Sequence, residues 1–187
     1  LPGPATSKVR SLPSSMISMP KIGSIESIAQ LIEEEEAILV INGDFIDFLR
    51  VIFTEKEVLH FDYDEWQKIL QKVQINKTIE ELKASFTEDE KVYGFKTDDF
   101  KSIWKLEKVI EGHEKVFLAL VEWISQPHKE LLILKGNHDL EWHWEKVQAY
   151  FSVKLNERAP ESNLCVRMRS NLCLPPAHIS KCILSRL

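Results

Sequence analysis

Two apolar runs in this chain end in the same way. Ala37 to Asp47 reads AILVINGDFID, and Leu131 to Asp139 reads LLILKGNHD. A short continuous apolar run stopped by turn residues predicts a strand buried on both faces. Two of them predict a parallel sheet whose carboxyl edge gathers polar side chains. Around these strands the period changes to that of helices. Ile25, Ile28, Ala29 and Ile32 fall on one helical stripe, followed by the solvated run Glu33 to Glu36. Trp66, Ile69, Leu70 and Val73 predict a second amphipathic helix; Ile79, Leu82 and Phe86 a third; Phe100, Ile103, Trp104 and Ile110 a fourth. Val116, Phe117, Leu120 and Ile124 predict a fifth, stopped by Pro127, and Leu140, Trp144, Val147 and Phe151 a helix directly after the second strand. The fold class expected is therefore α/β, with the helices between the strands elaborating the mouth of the sheet.

The ends lack this periodicity. Residues 1–24, rich in Pro and Ser, read as a disordered or loosely attached arm, residues 25–155 as the folded domain, and residues 156–187 as an irregular basic tail. That tail carries all three cysteines, Cys165, Cys173 and Cys182, and repeats Ser162-Asn163-Leu164-Cys165 as Ser170-Asn171-Leu172-Cys173. An odd count without Cys-x-x-Cys spacing predicts ordinary reduced thiols in a reducing, cytoplasmic setting.

The chemistry of the chain concentrates in the two loops. Gly43, Asp44 and Asp47 follow the first strand, and Gly136, Asn137, His138 and Asp139 the second. Taken singly, Asn42-Gly43-Asp44 and Gly136-Asn137 are turn chemistry, and Asp139 is placed to cap a helix at Leu140. Taken together, they bring a carboxylate, an amide and an imidazole to one sheet edge. His60, His113 and His128 fall in or near the helical part, where exposed or capping roles are expected, and His143 follows the second loop on its helix. Phe45, Phe48 and the five tryptophans read as core and lid packing rather than as a platform for stacked bases.

In their order and strand-then-loop setting, Gly43-Asp44 with Asp47 and Gly136-Asn137-His138-Asp139 resemble the calcineurin-like metallophosphoesterases of bacterial type. The resemblance implies an αββα sandwich of two mixed sheets, of which residues 25–155 would supply the first half with a helical insertion. It also implies hydrolysis of a phosphomonoester or phosphodiester at a dinuclear site of manganese, iron or zinc. Such ions neutralise the phosphoryl oxygens and generate hydroxide at neutral pH. By the same resemblance Asp44 bridges the metals, Asn137 ligates one of them, and His138 is the catalytic residue that protonates the departing alkoxide. Asp47 supports the ligands, and Asp139 orients His138 or its loop.

The chain also departs from that family. Ile17 to Gly23 reads ISMPKIG, so Met19 and Lys21 stand where the family's aspartate and histidine belong, and neither ligates a hard divalent ion. No Gly-His-x-His loop follows; His178 is the sole histidine after Phe151. The expectation is a phosphoesterase that holds metal weakly and is impaired, with a non-catalytic scaffold or interaction module as the alternative. Charge narrows the partners. All 29 acidic residues lie between Glu26 and Glu161, whereas both ends are purely basic, so the central region repels nucleic acid. No apolar stretch reaches membrane-spanning length. Half a sandwich would have one apolar sheet face that the tail, Glu161 to Leu187, must cover or leave open, and an open face invites self-association.

Overall fold

In a computed structural model the structure describes residues 36–51, 62–159, 166–169 and 182–185. The helix expected at Ile25 to Ile32, together with Met19, Lys21, His60, His178, Cys165 and Cys173, lies outside them.

The chain is mixed α/β. Strand β1 (Ala37–Asn42) and strand β2 (Lys129–Leu134) form where the apolar runs predict. Between them lie α1 (Tyr63–Gln71), α2 (Ile79–Ala84), α3 (Glu88–Tyr93), α4 (Asp99–Gly112) and α5 (Glu114–Ile124). After β2 come a 3-10 turn (Leu140–His143), α6 (Glu145–Arg158) and two short strands, β3 (Val166–Arg169) and β4 (Cys182–Ser185). The four strands pair in the order β3-β2-β1-β4, every pair parallel. Among the described residues this is one sheet, and the tail expected to be irregular contributes both of its edges.

Helix starts are written locally. Asp62 and Asp98 accept the backbone N–H groups of Glu65 and Lys101, and Thr78 with Glu81 and Thr87 with Glu90 close reciprocal capping boxes. The helix expected to run from Leu140 breaks instead. Leu140 and Trp144 are exposed, and only Val147 and Phe151 of that stripe enter the core.

The sheet is buried on both sides. Leu39, Ile41, Leu131 and Ile133 join the main core with Trp66, Leu82, Ile103, Trp142 and Phe151. Ile38, Val40, Leu132 and Leu134 form a second cluster on the opposite face, each at most 7% exposed. The open apolar face expected to drive self-association is thus not found at these positions. Helix α4 is buried nearly all round and carries charge inward. Tyr150 Oη donates to Glu107 Oε2 at 2.8 Å, and Lys154 Nζ approaches Glu107 Oε1 at 2.9 Å, joining α4 to α6. Burial, with the Glu107 carboxylate beside it, raises the Tyr150 phenol above its usual range. No helix among the described residues is long and apolar enough to cross a membrane.

Candidate functional site

Register builds the site. Asn42 lies opposite Leu134, so two residues further along each chain Asp44 meets Gly136. The two loops touch there. A Cβ added to Gly136 would collide with the Asp44 carboxylate and backbone nitrogen, and one added to Gly43 would come within 3.3 Å of the Gly136 Cα. Gly43 and Asp44 both take left-handed backbone, φ 76° and 52°, a conformation that glycine adopts freely and aspartate tolerates. Both loops leave the carboxyl ends of neighbouring parallel strands, β1 and β2. In open parallel sheets ligands bind outside the carboxyl ends of the strands, the edge these loops occupy.

The side chains lock this approach. Asp44 Oδ1 accepts the His138 backbone N–H at 3.0 Å. Asp139 is fully buried and accepts two N–H groups, Gly136 N at 2.6 Å and Phe45 N at 2.9 Å, so one carboxylate staples both loops. Burial pushes the Asp139 carboxyl above its ordinary range. The two N–H donors pull it back, and the charge of Asp44 adds to the upward push. Of the two roles expected of it, Asp139 thus holds its loop rather than His138, and it occupies the N-cap position of the 3-10 turn without a capping hydrogen bond. Aromatic rings fill the space beneath. Phe45 stacks on Trp142 and Phe48 meets it edge-on at 5.6 Å, the packing role expected of them.

The exposed rim carries the reactive groups. Asp44, Asn137 and His138 are all open to solvent. Asp47 turns toward His138, its Oδ2 lying 3.7 Å from the imidazole Nδ1 and 3.1 Å from Arg50 Nε. Its Oδ1 is buried and has no hydrogen-bond partner among the described residues. Asp47 is thus the carboxylate that faces the imidazole, one of the two roles expected of Asp139. His113, His128 and His143 are exposed, and among the described residues no group of three or more His, Cys, Asp or Glu side chains is arranged to hold a metal ion.

Lys105 escaped the sequence reading. It is buried in α4, and its Nζ donates to the Phe48 carbonyl at 3.3 Å, directly after Asp47. The signal was a helix with charges on every side and no purely polar face: such a helix must bury some of them. No family model matches this chain, and neither a curated protein nor a solved structure matches it.

Proposed function

We propose that the chain carries part of a calcineurin-like metallophosphoesterase domain, the first half of an αββα sandwich, and hydrolyses phosphomonoesters or phosphodiesters slowly. One observation carries this reading. Two adjacent parallel strands deliver Gly43-Asp44 and Gly136-Asn137-His138 to a single point, with the Asp44 carboxylate against the backbone of the second loop. The approach of Asp47 to His138 supports it further. A carboxylate near Nδ1 favours the tautomer protonated there, leaving Nε2 as the nitrogen that would exchange a proton with the reacting oxygens.

The donor set falls short of a metal centre. Asp44 and Asn137 offer a divalent ion one oxygen ligand each, whereas retention against bulk water takes several. The arrangement favours weak metal binding and an impaired catalyst. The same shortage favours a second reading, a scaffold that keeps the α/β core without catalysis.

Elemental analysis after desalting and turnover of p-nitrophenyl phosphate and bis(p-nitrophenyl) phosphate, with and without manganese, separate these readings. The expected result is manganese lost on desalting and a manganese-dependent rate below about 1 per second. That rate should drop in both Asp44→Asn and His138→Ala. Absence of any manganese-dependent rate would leave the scaffold. Two retained ions with turnover above that value would show that other residues complete the site.

A further inference from the structure

Beside the candidate site, a cleft of about 410 Å³ opens between the chain that follows Asp47 and the segment joining α3 to α4. Leu49, Val51, Tyr93 and Phe95 supply apolar lining, and Lys96, Lys105 and Asp89 are the charged residues along it. The amines differ. Lys96 is exposed and lies 3.5 Å from Asp89 at the rim. Lys105 is 2% exposed, and its ammonium has three donors but, among the described residues, one acceptor, the Phe48 carbonyl, at a long 3.3 Å. No carboxylate among the described residues forms an ion pair with it. The carboxylates that act on it from a distance are engaged elsewhere. Glu141 accepts the Thr97 hydroxyl, Glu90 holds Lys101, and Asp98 caps α4.

A buried cation without a counter-ion is costly, because transfer out of water is repaid only by a close, well-bonded partner. Burial accordingly lowers the Lys105 pKa, which the distant carboxylates only partly offset. With Lys96 and Asp89 paired to each other at the rim, the cleft is a concave space of apolar side chains with one buried amine beside it, the form of a small-molecule site. We infer that this cleft binds a small organic anion with an apolar body, its carboxylate or phosphate-type oxygens pairing with Lys105 Nζ and its body lying against Leu49, Val51 and Phe95. This site does not depend on the phosphoesterase reading.

The test is a titration of the full chain with 2-naphthoate, naphthalene-2-phosphonate and neutral 2-naphthamide, followed through the backbone amide resonances of Leu49, Val51 and Phe95. At least one anion should bind about tenfold more tightly than the amide, the scale of one charge-assisted hydrogen bond. Whichever anion prevails identifies the head group. Lys105→Met and Lys105→Gln should erase that preference, while Asp44→Asn should preserve it, so failure here is distinct from failure at the metal loops. Equal binding of amide and anions, no binding at millimolar concentration, or an unchanged preference in Lys105→Met would each overturn the inference. Should neither Lys105 variant fold, as judged by thermal melting, the comparison of anion with amide in the unsubstituted chain decides it.

Discussion

At Gly136 a single hydrogen is all that the space beside Asp44 admits. Gly136→Ala should force the two loops apart, at a cost of about 2 kcal/mol for a methyl group pressed into occupied volume. Urea unfolding would measure that loss, and any manganese-dependent rate should fall with it. Asp139→Asn tests the other fastener. An asparagine amide presents one acceptor oxygen where the carboxylate has two, so either Gly136 N–H or Phe45 N–H is left facing an NH2 group. A loss of about 2 kcal/mol is expected, and wild-type stability in this variant would show that the staple contributes nothing. Much of this scale was legible in the sequence, since the Gly-Asp and Gly-Asn-His-Asp clusters do meet. The division of labour was not. Which carboxylate faces the imidazole and which binds backbone depends on the direction each loop takes after the strand, and residue type does not specify that.

Helix α3 shows how a short element is held by chemistry rather than by a hydrophobic stripe. Its sequence has no apolar period, yet the Thr87 and Glu90 capping box fixes its start, and Glu90, fully buried, also accepts Lys101 Nζ at 2.7 Å and the Lys96 N–H at 2.9 Å. The threonine-to-glutamate spacing was the only advance sign of this helix. That the glutamate would be buried could not be read, because its partner Lys101 belongs to α4. Burial alone would raise the Glu90 carboxyl, but Lys101 and the two N–H donors outweigh it and bring the pKa to about 2. The folded value thus lies below the ordinary one. The stabilisation is fully present above the ordinary carboxylate range and is lost as pH falls toward about 2. Glu90→Gln should therefore cost about 3 kcal/mol near neutrality, and the gap between it and wild type should narrow between about pH 4.5 and pH 2. Equilibrium denaturation across that range checks both the size and the sign; a gap that widened on acidification would refute the assignment.

For the whole molecule, the central strands were visible from sequence because each is a continuous apolar run closed by glycine. The outer strands were not. β3 and β4 are four residues each and take their place from pairing with β2 and β1 rather than from any pattern of their own. A chain ending at Ala159 would strip both edges and leave β1 and β2 with unpaired N–H and C=O groups on their outer sides. It should form oligomers or aggregates by light scattering, and a monomer that melts cooperatively would contradict this. The sheet order also governs events during synthesis. β1 is made early but flanked on one side by β4, the last described segment to leave the ribosome, and on the other by β2, which follows only after five helices. Pairing between segments so distant in sequence carries a large loop-closure cost and slows folding. During translation the nascent chain should therefore hold a helical body around an unfinished sheet, and that interval is when chaperones would have most to grip.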